Sequence, residues 1–162
     1  LPATRSLDAT AGGLDQVDLY RWLGVLLFSM DSNALSPQQQ SIFESALLRG
    51  RLTELFGCSS LQAEEGTKLF ITGLFSQLGD VFNATMANAL SHFSVSEPIS
   101  RALLHRDGPY APFLKLAIAC EDHDQASIDH HAASSNIPPE QLNTLYAKAV
   151  VWTHELQQSA AS

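Results

Sequence analysis

The sequence predicts an all-α fold, and three observations predict it. Apolar residues recur at helical spacing nearly throughout, alternating Val, Ile and Thr runs that make strands are absent, and Ser, Pro and Gly stand where helices would begin and end. The first helix is expected over about 15–30, "DQVDLYRWLGVLLFSM", where Leu19, Trp22, Leu23, Leu26 and Leu27 form one broad apolar stripe, with Asp15 or Leu14 near its start. "DSNALSP" breaks it, and Ser36 followed by Pro37 offers an N-cap and a first-turn proline for a second helix running to Phe56 and closed by Gly57. A third is expected over about 62–78, with Leu69, Phe70, Leu74 and Leu78 on one side, Gly73 allowing close packing and Gly79 as its stop.

Asn83 then reads as the cap of a short helix to Phe93, and Ser96 as the cap of another with Pro98 in its first turn, ending before "RDGPY". From Pro109, "YAPFLKLAIACE" forms a helix to about Glu121. A polar stretch comes next, and "SSNIPPE" divides it from a last helix at 139–157, whose buried face is Leu142, Leu145, Tyr146, Ala149 and Trp152. No fixed-period repeat, low-complexity stretch or long charge run interrupts the chain. The expected organisation is a single domain: an irregular leader over 1–13 and one helical unit over 14–158.

The 162 residues, 45% of them apolar, suffice for a core without disulfides or metal. Nine Lys and Arg against seventeen Asp and Glu give a formal charge of −8, which opposes binding to nucleic acid or to an anionic membrane surface. The longest run of apolar residues and glycine, "WLGVLLF", is far shorter than the ~20 residues a membrane-crossing helix needs. Cys58 and Cys120 follow no metal spacing and read as reduced small hydrophobes, as in the cytoplasm. With no initiator Met and no basic leader before an apolar region, "LPATRSLDATAGG" reads as a cut edge and not as a signal peptide.

"CEDHDQASIDHH", residues 120–131, is the stretch with the composition of a metal site, since His with Asp or Glu is the ligand set of zinc, iron or manganese. Its spacing opposes that use. On a helix over 124–134, His130 and His131 leave the axis about 100° apart, and His123 lies about 10.5 Å of axial rise before His130. The competing reading uses the same residues structurally: Asp124 caps a helix, and His123 sits at the C-terminal end of the preceding one, where positive charge is favoured. GxSxG, GxxxxGK, GxGxxG and HExxH are all absent. Asn83-Ala84-Thr85 fits a glycosylation sequon, but a helix cap explains Asn83 without secretion. No catalytic residue, cofactor-binding residue or metal ligand is therefore assigned.

Two charged features remain as candidates for partner contact. Arg49, Arg51 and Glu54 form a patch on the second helix, with Arg51 and Glu54 at i, i+3, and Arg21 stands beside Trp22 on the first. Ordinary surface ion pairing explains the same residues, at a few tenths of a kcal/mol per pair.

Five blocks in order, "LYRWLGVLLFS", "ALLRGRLTELF", "LFITGLFSQLGDVF", "RALLHRDGPYAPFLKLAIACE" and "LYAKAVVW", resemble the later two thirds of an HDOD domain, the output module of bacterial signalling proteins. The likeness covers about residues 5–157 and is nearest to the EAL-HDOD type, in which a cyclic-di-GMP phosphodiesterase-like EAL domain precedes the module. It implies an all-α bundle related to the metal-dependent HD phosphohydrolases but without their metal-binding His and Asp residues. It also implies a non-catalytic role in signal transduction, exercised by contact with its own EAL domain or other signalling proteins. A full module has several more helices before "LYRWL", so the chain is expected to lack its front part, leaving an apolar patch on its first helices and a tendency to form homodimers. An HD hydrolase needs a His, a His-Asp dipeptide and a distant Asp, whereas the last aspartate here is Asp129, close behind His123-Asp124. The rival readings are a divergent HD-type phosphohydrolase centred on His123 and Asp124, and a purely structural dimerisation domain.

Overall fold

The computed structural model describes residues 37–91 and 95–160, and within them every regular element is helical. In chain order these are α1 (Pro37–Cys58), a 3-10 turn (Ala63–Glu65), α2 (Gly66–Phe75), α3 (Leu78–Phe82), α4 (Met86–Leu90), α5 (Glu97–His105), α6 (Ala111–Glu121), α7 (Gln125–Ser134) and α8 (Pro139–Ala160). The expected all-α, single-domain bundle is the one observed. The leader over 1–13, the helix over 15–30 and the Ser36 cap lie outside the described residues.

Helix α1 is the organising element, because α2, α6 and α8 all pack against it. Burial on several sides explains why its apolar residues make no single stripe: Leu52 and Phe56 are fully buried, and Ala46 is nearly so. Its closest neighbour is α2, where Gly73 meets α1 at Gly50. A methyl group on Gly73 would lie 2.4 Å from the Arg49 carbonyl and 2.7 Å from the Gly50 Cα, so the backbones touch only because neither position carries a side chain. The close approach expected at Gly73 is therefore real.

Gly57 behaves differently from expectation. It does not end the helix but lies inside α1, where an added Cβ would stand 2.3 Å from the Leu69 side chain; its small size admits a neighbour and the helix runs on to Cys58. The single helix expected over 62–78 is interrupted at Ser76 and Gln77, whose side chains turn inward to polar partners on α1. Gly79 falls within α3 and stops nothing. Asn83 ends α3 in a left-handed conformation (φ 52°), while the cap of α4 is Thr85, whose Oγ1 accepts from the Asn88 amide at 3.2 Å.

The later elements follow the sequence more closely. Ser96 and Pro98 open α5, with the Ser96 hydroxyl buried and not engaged in the cap. Arg106 closes α5 with φ 52°. Helix α6 buries Phe113, Leu114, Leu116, Ala117 and Cys120 in the core beside Phe75, Leu69 and Ile99. The Tyr110 hydroxyl donates to Glu65, fastening the start of α6 to the 3-10 turn. Helix α8 lays Ala149 fully buried on the core, with Leu142, Leu145, Tyr146 and Trp152 packed around it as expected. No helix among the described residues is long and apolar enough to cross a membrane.

Candidate functional site

The junction between α6 and α7 holds the residues that composition singled out. Helix α6 ends at Glu121, and His123 adopts φ 54°, with the Asp124 amide donating to the Ala119 carbonyl at 3.1 Å to close the helix. Asp124 then caps α7. Its carboxylate accepts from the Ser127 amide at 3.3 Å and the Ser127 hydroxyl at 2.6 Å, and these bonds hold it below the usual carboxylate range. Asp129 accepts from Gln125 at 2.8 Å, one turn away on the same helix.

His130 and His131, expected to diverge, bring their rings within 5.1 Å in an edge-to-face arrangement, since side-chain torsions offset the angle between their Cβ directions. Burial, followed by the proximity of His130 and Lys115, lowers the pKa of His131. Cys120 is pushed up to about 11, chiefly by burial, and so is poorly suited to act as a thiolate. Among the described residues no three His, Cys, Asp or Glu side chains gather where they could share an ion. Beside the junction, α7 and α8 diverge around a cleft of about 900 Å³, with Ile128, Ala132, Ile137 and Leu142 among its walls and His123 and Asp129 among its polar groups.

The expected patch of Arg49, Arg51 and Glu54 divides in two, because residues two apart leave a helix on nearly opposite sides. Arg49 turns inward. Its Nε donates to Glu121 Oε2 at 2.5 Å and its Nη1 to Ser76 Oγ at 3.1 Å, while Ser45 Oγ donates to the other Glu121 oxygen at 2.7 Å. In the amide orientation that satisfies both of its ends, Gln77 accepts from Arg49 Nη2 at 3.0 Å and donates to Asp80 at 2.7 Å. Each guanidinium nitrogen and each Glu121 oxygen is thereby engaged, with the two side chains only 13% and 12% exposed. A network of this kind ties α1, α2 and α6 together.

Arg51 leaves the helix on the other side and is half-buried, its Nε out of water and without a hydrogen-bond partner among the described residues. It pairs with Glu54 at 2.9 Å and its guanidinium stands 5.4 Å from the centre of the Trp152 ring, which in turn meets Phe70 edge-on at 5.7 Å. Core, aromatic ring and half-buried cation follow one another in that order, beside a shallow cleft of about 800 Å³ that also includes Lys148, Val151 and Glu155. Sequence reasoning assigned Trp152 only to the buried face of α8 and missed its role under Arg51. No local signal could have joined residues so far apart along the chain. Arg21 and Trp22 lie outside the described residues.

No known protein family's profile and no solved structure matches the chain. The chain is 20% identical over 142 residues, 88% of its length, to a Bacillus subtilis (strain 168) protein described as uncharacterized protein YuxH. The match covers 34% of that protein, so the chain spans about a third of the length of the relative it resembles.

Proposed function

We propose that the chain is a non-catalytic, cytoplasmic signal-transduction module, the later part of an HDOD-like domain. In this reading it works through contacts with an EAL domain of its own parent protein, or with other signalling proteins of a cyclic-di-GMP pathway. The observation that carries the reading is the use made of the junction carboxylates. Asp124 is committed to the Ser127 amide and hydroxyl, and Asp129 to Gln125, so both serve α7 instead of converging with His123 on a common point. A hydrolase built on His123 and Asp124 would place its ion on a carboxylate both of whose oxygens already serve α7.

The Arg51–Trp152 stack supports the contact-making half of the proposal, because Arg and Trp on a rigid base are the residue types that dominate binding at protein interfaces. Two free cysteines, Cys58 and Cys120, suit a reducing compartment. The test begins with chain purified without chelator, analysed for bound metal and assayed against a chromogenic phosphodiester and cyclic-di-GMP. The expected result is neither stoichiometric metal nor turnover, together with altered cyclic-di-GMP hydrolysis by the EAL domain when the chain is added and loss of that effect in Arg51→Ala. Stoichiometric metal with turnover abolished by His123→Ala overturns the reading in favour of a phosphohydrolase.

A further inference from the structure

Helix α8 turns one face to the core and leaves the opposite face without a partner among the described residues. Ala149 is fully buried and Thr153 nearly so, whereas Val151, half a turn away, is 55% exposed and Val150 42% exposed. With 3.6 residues per turn, Thr144, Ala147, Val151 and Gln158 fall along one outward line centred on Val151, and all four are exposed. Lys148 and Glu155 flank this line on the same side, seven residues and so about 10.5 Å of helix rise apart. Neither forms an ion pair with any other described residue, although Arg51, Arg101 and Arg49 all do.

We propose that this face binds a second copy of the chain, with the two α8 helices antiparallel and a two-fold axis passing beside Val151. In an antiparallel helix pair whose two-fold axis lies at their midpoint, two residues on the same flank each face the symmetry mate of the other. An axis at the midpoint of Lys148 and Glu155, between Val151 and Trp152, therefore sets Lys148 against Glu155 of the other copy, and Glu155 against its Lys148. The two charges without an ion-pair partner among the described residues become two identical ion pairs in the dimer, and each Val151 is covered by the other.

The charges complement one another in the antiparallel arrangement alone, since a parallel pair would carry the flank of Lys148 and Glu155 to opposite edges of the interface in the two copies, where the two groups could not meet. The sequence suggested a homodimer through an apolar patch on the first helices, part of which lies outside the described residues; the proposed pairing uses an exposed stripe on the last helix. This pairing does not rest on the signalling reading above, but it occupies the cleft that Arg51 and Trp152 also line, so a partner docked on that stack would compete with the second copy.

The test is a charge exchange read by sedimentation equilibrium on the whole chain up to about 0.5 mM, in low and in high salt. The expected result is a salt-sensitive dimer of the unaltered chain, weakened about tenfold or more by Lys148→Glu and by Glu155→Lys separately, and restored when both are present. All these positions are exposed, so circular dichroism of each variant should match the parent. Val151→Asp should leave a monomer. A chain that is monomeric throughout, or a dimer indifferent to both single exchanges, overturns the proposal. A monomer whose Val151→Asp variant loses binding to another protein overturns it too, by giving the face to that partner.

Discussion

Glu121 closes α6 and holds Arg49 of α1 by an ion pair that is almost wholly out of water, with Ser45 on its second oxygen. A buried pair of this sort adds little net stability compared with apolar residues of the same volume, because both charges have lost their hydration. Removing one partner is another matter, since the remaining charge stays buried with nothing to offset it. Glu121→Gln should therefore cost about 2–3 kcal/mol in urea unfolding. The double variant Arg49→Met/Glu121→Met should cost less than the single change, with m values alike. A single variant within a few tenths of a kcal/mol of the parent would mean that Arg49 finds water or another partner. Half of this pair was legible in the sequence. Arg49 could be named from its own helix, but its partner lies 72 positions away, and local spacing assigned it to the wrong neighbours, Arg51 and Glu54.

Helix α7 shows at the scale of an element which signals the sequence carries and which it cannot. Its start was readable because an N-cap is a bond between Asp124 and a residue three positions on, and no distant part of the chain enters into it. Gly57 was misread for the opposite reason. Whether that glycine ends a helix or admits a neighbour depends on what stands across from it, here the Leu69 side chain of the next helix. Helix α7 should also respond to acid in two stages. His131 has a lowered pKa in the fold, so the unfolded chain takes up its proton first, and stability complete above the usual value of 6.5 declines as pH falls from there through the folded pKa. The groups that set this shift besides burial are His130, Lys115 and, acting oppositely, Asp124. Asp124 is also lowered, so the cap is at full strength above 3.8 and is lost as pH falls through its folded value. Cα chemical shifts of residues 125–134 should thus drift toward coil below about pH 6.5, and again in stronger acid. His131→Gln should remove the first stage and Asp124→Asn the second, asparagine keeping a cap that no longer titrates. A single transition, unchanged by either variant, would show that α7 depends on neither group.

For the molecule as a whole, the decisive feature is that α2, α6 and α8 all close on α1, so no subset of the described helices has a core of its own. The all-α class was legible because helical periodicity is written into each segment separately, whereas this common dependence on α1 is a property of contacts and could be expected only from size and continuity of composition. Its consequence is cooperative unfolding. Trp152 provides the probe, since its ring lies between Phe70 of the core and the Arg51 guanidinium and is uncovered once α8 leaves α1. In a Trp22→Phe background, Trp152 fluorescence should change over the same urea range as far-ultraviolet circular dichroism, which follows all the helices together. Both curves should fit one midpoint with an m value of about 1–3 kcal/mol per molar urea. If fluorescence changed first, α8 would be a separately detachable element. The dimer face would then sit on a helix that peels away from the bundle, and self-association would stabilise α8 on α1 by mass action, raising the earlier midpoint with protein concentration. Coincident curves, with a midpoint that rises as protein concentration increases, are the outcome expected of a bundle that unfolds as one unit and pairs through its last helix.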